Sequence, residues 1–342
     1  MYNYFMEKIP GLRIVGDASE ENKQKIKEEL GENFSNNLNA FSEKERDLLE
    51  KYEYPKSKEE IELINFANNE VNKLRESFGL EPYDVPVENF HIVPPNIFHK
   101  LLTADAEVAA AIYSKQAIIF DASERGNLLS FSNSSIHELL HLKAHATFEV
   151  EEKDDEITKT IYRSGVSSVS AQSNVNPHHH FYGLHEAIVS TQQKKMSSVI
   201  LEHPLLLEEK KRMSTQKALG IIEYVSEKQK IPKDDIFWVE KDGKDYLDIA
   251  YRKNRETLSY VCNEILKEFP DKFSSQDEVF NRFLRAQFTG QLLPVARLVE
   301  SVFGEGSFRT LGDMTIDKQS AILCLESLKK FRSRFLKNKK PD

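Results

Sequence analysis

One short motif contains most of the residues in this chain that could do chemistry together. His137, Glu138 and His141 form the sequence His-Glu-Leu-Leu-His, in which the histidines are four residues apart. On a helix, residues four apart share a face, so both imidazoles can reach one metal ion. Glu138 lies about 100° further round the helix, where its carboxylate can reach a water molecule but is poorly placed to be a third ligand. The spacing therefore predicts a zinc site with two histidine ligands and one general base.

This prediction requires a helix, and the flanking residues favour one. Residues 132–135 are Ser-Asn-Ser-Ser, which offers several candidates for a helix N-cap, and residues 136–150 contain neither glycine nor proline. A second interpretation stays open at this point. Ser135 and Glu138 have the spacing of a capping box, which would make Glu138 a helix cap and leave the two histidines without a metal role.

A third metal ligand must come from elsewhere in the chain. His145 continues the four-residue spacing but lies a turn beyond the metal. The extended pattern H-E-x-x-H-x-x-G-x-x-H is excluded, because Ala144 and Thr147 stand where it has glycine and histidine. Further along, Leu-His-Glu-Ala-Ile around Glu186 has the pattern of a second helix with a glutamate in its first turns.

Together, the residues His137, Glu138, His141 and Glu186 resemble the gluzincin class of zinc metallopeptidases, over roughly residues 90–200. The resemblance implies that Glu186 is the third zinc ligand, and that a zinc-activated water hydrolyses a peptide bond with Glu138 as general base. Thermolysin-like enzymes carry an acidic residue one turn after the ligand glutamate, whereas this chain has Ser190. The chain is therefore more similar to minigluzincins than to thermolysin.

Two further sets of side chains lie close to Glu186 in the sequence. Tyr182 precedes it by four residues and would share its helix face, so its hydroxyl is the preferred donor to a developing oxyanion. The triplet His178, His179 and His180 must also come near the zinc if Glu186 binds it. Three interpretations of the triplet stay open: a second metal site, donation to the oxyanion, or an ordinary loop.

The surrounding segments predict an α+β fold, and the resemblance implies that it is zincin-like. We expect an N-terminal helical segment over residues 1–89, a catalytic core with a small mixed sheet over 90–200, and a mainly helical subdomain over 201–342. A β-hairpin is predicted just before the metal helix. The resemblance implies that its first strand is an edge strand beside that helix. Its small residues, 109–111, could leave room for a substrate backbone or could pack beneath a helix.

Composition limits the classes of partner. The 342 residues carry a net charge of −8, which argues against a nucleic-acid-binding surface as the main function. The only cysteines, Cys262 and Cys324, suggest a reducing compartment. The N-terminus lacks the pattern of a secretory signal, and no apolar run has the length of a membrane span. We therefore expect a cytoplasmic protein, without a membrane or nucleic-acid partner, that acts on a peptide or protein.

Two functions fit these expectations. The first is a zinc metallopeptidase with one Zn²⁺ per chain. The second is a non-catalytic or regulatory zinc-binding module of the same fold that recognises a protein partner. The presence of Glu138 beside a three-ligand set favours the enzyme, because a structural zinc is usually closed by four protein ligands. The sequence leaves cleavage specificity and oligomeric state open.

Overall fold

The structure is a computed structural model that describes residues 9–102, 108–153, 156–170, 178–241 and 244–339. Over these residues the fold is mixed α and β, with small sheets and a mainly helical C-terminal part, as predicted. Two compact units are formed, the first from Ser19–Lys143 and Gln193–Ile249, and the second from Gly11–Ala18, Ala144–Gln192 and the described residues after Ala250. The three-segment division expected from the sequence stays a prediction. None of the described helices is both long and apolar enough to cross a membrane.

The elements are numbered in chain order. The α-helices of the described ranges are α1 (Glu20–Ser35), α2 (Glu43–Tyr52), α3 (Lys58–Ser77), α4 (Pro95–Leu101), α5 (Leu128–Leu142), α6 (Tyr182–Ile200), α7 (Leu207–Met213), α8 (Gln216–Gln229), α9 (Arg252–Glu268), α10 (Gln276–Thr289), α11 (Leu293–Phe303), α12 (Ser307–Gly312) and α13 (Lys318–Lys339). The strands of the same ranges are β1 (Leu12–Val15), β2 (Phe90–Val93), β3 (Ala109–Ile112), β4 (Ala117–Asp121), β5 (Ala146–Lys153), β6 (Glu156–Ser164), β7 (Ser167–Ser170), β8 (His178–His180), β9 (Ile236–Lys241) and β10 (Lys244–Asp248).

The first unit is built around a three-stranded sheet in the order β2-β4-β3. Strands β2 and β4 are parallel and buried throughout, which is why both consist almost entirely of apolar residues. Strand β3 pairs with β4 in antiparallel fashion and lies at the edge of the sheet, in contact with α5. The predicted hairpin, with an edge strand beside the helix of the motif, is confirmed. Helix α3 packs against α5, and the antiparallel pair β9 and β10 completes the strands of this unit.

The second unit combines a five-stranded sheet with the last five helices of the described chain. The sheet order is β1-β5-β6-β7-β8, in which β1 joins β5 in parallel and the remaining neighbours are antiparallel. Helix α9 contacts α10, α11 and α13 and buries an apolar stripe of Leu258, Val261, Cys262 and Ile265. The stripe is buried because these residues recur every three or four positions, on one helix face.

Serine residues cap the starts of three helices. Ser42 and Ser57 begin α2 and α3, and in both cases the glutamate three residues later bonds back to complete a capping box. Ser275 likewise caps α10. Gly79 follows the end of α3 with a φ of +72°, a conformation that favours glycine.

The absence of glycine and proline does not predict where the motif helix ends. The chain from 136 to 150 contains neither glycine nor proline, yet α5 ends at Leu142 and β5 begins at Ala146. The acidic run that begins at Glu149 has the composition of a solvated turn, but its residues up to Lys153 belong to β5. Pairing with β1 and β6 extends this segment, and the local sequence does not reveal that pairing. Pro95 occupies the first turn of α4, where proline is tolerated.

Candidate metal site

Helix α5 carries the histidine motif and begins earlier than predicted. Its N-cap is Asn127, whose side chain accepts a hydrogen bond from the Ser130 N–H. The serines expected to begin the helix lie inside it: the Ser135 hydroxyl donates to the Phe131 carbonyl, 2.8 Å away, one turn back. The capping-box interpretation of Ser135 and Glu138 is therefore wrong, because a mid-helix residue has no cap to form.

The structure brings together the three residues predicted to bind the metal. One ligand atom from each of His137, His141 and Glu186 lies within 4.8 Å of the other two. The two imidazole Nε2 atoms are 3.1 Å apart. His141 and Glu186 are buried and His137 is half-buried. The side chains thus form a group that could hold a metal ion, the one such group of three found over the described residues.

The separation of the two imidazole nitrogens fits a small tetrahedral cation. Two ligand atoms bound to zinc at about 2.1 Å, at a tetrahedral angle, would lie roughly 3.4 Å apart. The observed separation of the Nε2 atoms of His137 and His141 is close to that value. Two imidazole nitrogens and one carboxylate oxygen are also a donor set that zinc accepts, and three protein ligands leave one coordination position for a water.

Glu138 lies beside this group and contacts the edge strand. Its Oε2 accepts a hydrogen bond of 2.8 Å from the backbone N–H of Ala111 in β3. The carboxylate is 7% exposed, so it is largely removed from bulk water. Residues 109–112 are half-buried, and β3 contacts α5. Among the described strands, β3 pairs with β4 alone. That its small residues leave room for a substrate backbone stays a prediction.

The carboxyl end of α5 is held by three side chains that the sequence did not identify. The Tyr113 hydroxyl donates to the carbonyl of His141 at 2.6 Å, and Tyr83 donates to Leu142 at 3.3 Å. Arg75 Nη1 donates to the Lys143 carbonyl at 2.5 Å. These donors bond to carbonyls at the end of α5, where the regular intrahelical pairing ends, and this stabilises the turn that contains His141.

Two basic side chains, Lys143 and Arg75, are buried at this end of α5. The Lys143 ammonium donates to the Asn72 side chain at 2.9 Å and to the Asn68 carbonyl at 3.2 Å. Burial lowers the pKa of Lys143 to about 7 and raises the pKa of Tyr83 to about 12. Burial also lowers the pKa of Arg75. Such a cluster is expensive to form, so each of its polar groups is hydrogen-bonded to a specific partner.

Helix α6 supplies Glu186, and its start is fixed by backbone contacts. Phe181 precedes the helix with a φ of +62° and donates its N–H to the Gly312 carbonyl at 2.7 Å. The Gly183 N–H donates to the Met314 carbonyl at 2.9 Å. A Cβ on Gly183 would lie 2.4 Å from the Thr315 carbonyl oxygen, so only glycine permits this approach. The helix therefore starts at a defined place, with Glu186 in its second turn.

Tyr182 and the histidine triplet are the other residues that lie close to Glu186 in the sequence. Tyr182 is the first residue of α6 and is half-buried, and its ring centroid lies 5.9 Å from that of His179. Its role as an oxyanion donor stays a prediction. The histidine triplet is not an irregular loop, because it forms strand β8 and pairs with β7. No second metal-binding group includes it in the part of the chain that the structure describes.

Ser190 lies one turn after Glu186 on α6, and its hydroxyl bonds to the helix backbone. It is fully buried and donates to the backbone carbonyl of Glu186 at 2.6 Å. Gln193, which the sequence gave no reason to select, instead contacts His137: its Oε1 lies 3.1 Å from His137 Nδ1. One sequence feature could have identified Gln193. It lies seven residues after Glu186, so both residues share one face of α6.

Comparison of the chain with protein families, with curated proteins and with solved structures gave no match.

Proposed function

We propose that this protein is a zinc-dependent metallopeptidase with a zincin-like catalytic core, similar to the minigluzincins. The observation that carries the proposal is the grouping of His137, His141 and Glu186 with a carboxylate, Glu138, on the next residue of the same helix. These three ligands would hold the zinc. When bound, zinc supplies Lewis-acid polarisation of a carbonyl and lowers the pKa of a coordinated water.

Within this proposal, the protein's own residues move the proton and position the substrate. Glu138 takes a proton from the attacking water and passes it to the leaving amine. The Ala111 N–H holds Oε2 of this carboxylate, so we assign the proton transfer to Oε1. Strand β3 then aligns an extended peptide along its open edge.

The proposed compartment is the cytoplasm. Cys262 and Cys324 are both buried and are not joined by a disulfide, which fits a reducing environment. Burial, with a smaller contribution from Asp313, raises the pKa of the Cys324 thiol to about 12, so this thiol is not set up as a nucleophile.

Replacement of Glu138 by glutamine tests the proposed function. Glu138→Gln preserves side-chain size and removes the basic carboxylate, and Glu138 is not a metal ligand here. We expect zinc stoichiometry to stay at one per chain while cleavage of a peptide library falls by roughly 10²-fold or more. Zinc is measured by elemental analysis, and cleavage by mass spectrometry.

Two results would contradict the proposal. If Glu138→Gln cleaves as fast as the wild type, another group is the base. If both proteins bind zinc and neither cleaves any peptide, while both retain a protein partner equally well, the site is a zinc-stabilised recognition module.

A further inference from the structure

Gln193 connects the metal group to the preceding turn of α5. Its side-chain Oε1 lies 3.1 Å from His137 Nδ1, and its Nε2 donates to the Asn133 carbonyl at 3.2 Å. A backbone carbonyl can only accept a hydrogen bond, so the amide nitrogen of Gln193 must be the atom that faces Asn133. The amide orientation is thereby fixed, with its oxygen toward the imidazole.

This orientation determines which nitrogen of His137 carries the proton. An amide oxygen can only accept, so the proton lies on Nδ1 of His137 and is donated to Gln193. In the neutral imidazole the lone pair is then on Nε2. Nε2 is the atom that lies 3.1 Å from His141 Nε2, within the group that could hold a metal. The contact to Gln193 therefore prepares His137 in the tautomer that ligation through Nε2 requires.

Helical spacing explains why the side chain of Gln193 can reach His137. Glu186 and Gln193 are two turns apart on α6 and share a face, while Asn133, His137 and His141 are four apart and share a face of α5. Ser190 lies on α6 between the two α6 residues, but its hydroxyl donates to the helix backbone. Gln193 is thus an α6 side chain, two turns after Glu186, that contacts a proposed ligand.

We propose that Gln193 is the positioning residue for His137: it fixes the ring orientation and the tautomer with the proton on Nδ1, and it raises the affinity of the site for Zn²⁺. This inference rests on the proposed metal site. Partners that orient a ligand histidine typically contribute 10–100-fold to metal affinity. An amide acceptor leaves the ligand neutral, whereas a carboxylate in the same place would make the imidazole more basic.

The test uses Gln193→Met, Gln193→Glu and a control, Asn133→Ala, in the full chain. Methionine matches the length of glutamine without the acceptor, so we expect Zn²⁺ affinity, measured by competition with a chromophoric chelator, to fall about 10–100-fold. Glutamate restores an acceptor and should bind Zn²⁺ at least as tightly as the wild type. Asn133→Ala keeps the backbone carbonyl that orients Gln193, so its affinity should equal that of the wild type.

A spectroscopic measurement separates positioning from simple packing. In ¹⁵N spectra of the metal-free wild type, His137 Nδ1 should have the shift of a protonated nitrogen and Nε2 that of an unprotonated one. The inference is overturned if Gln193→Met binds Zn²⁺ as tightly as the wild type, or if Nδ1 of His137 is unprotonated. Equal weakening by methionine and glutamate overturns it as well, since the side chain would then act through packing alone.

The outcomes also distinguish this inference from the proposed function. If the wild type binds Zn²⁺ and Gln193→Met binds it equally well, only the role of Gln193 fails. If the Gln193 variants behave as expected and no peptide is cleaved, only the peptidase assignment fails. If the wild type does not bind Zn²⁺, both fail.

Discussion

At the scale of the residue, the site separates side chains that would hold a metal from one that would move a proton. His137, His141 and Glu186 share a point within reach of all three, and Glu138 is turned toward the Ala111 N–H instead. Adjacent positions on a helix diverge by about 100°, which keeps the carboxylate of Glu138 out of the ligand set. The two kinds of residue should therefore respond differently to substitution.

Loss of a proposed ligand should remove zinc binding. We expect His137→Ala and Glu186→Ala each to abolish stoichiometric Zn²⁺ binding, because two protein ligands remain. Elemental analysis after dialysis measures the metal. His179→Ala, at an exposed residue of β8, is the control and should keep one zinc. Full zinc binding by Glu186→Ala, with loss in His179→Ala, would show that the third ligand has been assigned wrongly.

His145 should make the stability of the protein depend on pH. Burial, together with Arg163 and Arg13, lowers its pKa from 6.5 to about 4. Between these values the unfolded chain binds the proton and the folded chain does not. The free energy of unfolding therefore falls as pH falls from about 6.5 to about 4, with a slope of at most about 1.4 kcal/mol per pH unit from this group.

The measurement is urea unfolding of the wild type and His145→Gln at several pH values from 4 to 7. The difference in unfolding free energy between the two proteins should shrink, or move in favour of His145→Gln, as the pH falls. A difference that does not change across this window would mean that His145 is not buried as described.

At the scale of the element, hydrogen bonds connect the edge strand β3 and the turn after it to the motif helix α5. Strand β3 lends the Ala111 N–H to Glu138, and the turn that follows it lends the Tyr113 hydroxyl to the His141 carbonyl. One short segment thus contacts both the proposed base and the backbone of a proposed ligand. The orientation of Glu138 should therefore depend on the backbone of β3 as well as on α5.

Removal of the Ala111 N–H tests this dependence. Ala111→Pro removes the donor at an edge strand, where proline is tolerated better than in a central strand. We expect zinc to remain bound and kcat for peptide cleavage to fall, because Oε2 of Glu138 loses its fixed partner. Ala111→Ser keeps the N–H and should retain kcat. Equal rates in the proline and serine variants would exclude a role for this hydrogen bond.

At the scale of the whole molecule, residues far apart in sequence determine where α6 begins. The backbone of Phe181 and Gly183 bonds to Gly312 and Met314, and the Asn254 side chain donates to the Thr315 carbonyl at 2.8 Å. These contacts place the first turn of α6 against the C-terminal part of the second unit. The position of Glu186 within that unit is thereby set by residues near the end of the described chain.

Gly183→Ala tests this placement. The added methyl group would lie 2.4 Å from the Thr315 oxygen and 2.6 Å from the Met314 oxygen, both backbone atoms that cannot rotate away. Overpacking of this kind costs typically about 1–3 kcal/mol. We expect lower stability in chemical denaturation and weaker Zn²⁺ binding.

Gly220→Ala, in α8, is the matched control. A Cβ there has nothing within 4 Å, and alanine is the better helix former, so stability should rise by about 0.5–1 kcal/mol without a change in Zn²⁺ affinity. Unchanged stability and zinc affinity in Gly183→Ala would mean that the contact to Thr315 does not fix α6.

The sequence by itself determined the features that depend on neighbours a few residues away. Capping boxes at Ser42 and Ser57 mark helix starts because the partner is three residues along the same turn. The pairing of His137 and His141 follows from the helical period in the same way. Glu186 was reached through a resemblance, since nothing in its local spacing relates it to α5.

Only the tertiary structure decided the features that depend on distant partners. The end of α5 and the start of β5 follow from strand pairing with β1 and β6, since no glycine or proline marks the change. The contacts from Ala111 to Glu138 and from Gln193 to His137 join residues 27 and 56 positions apart. No periodicity along one segment reports such contacts, because they exist only once separate helices and strands have packed.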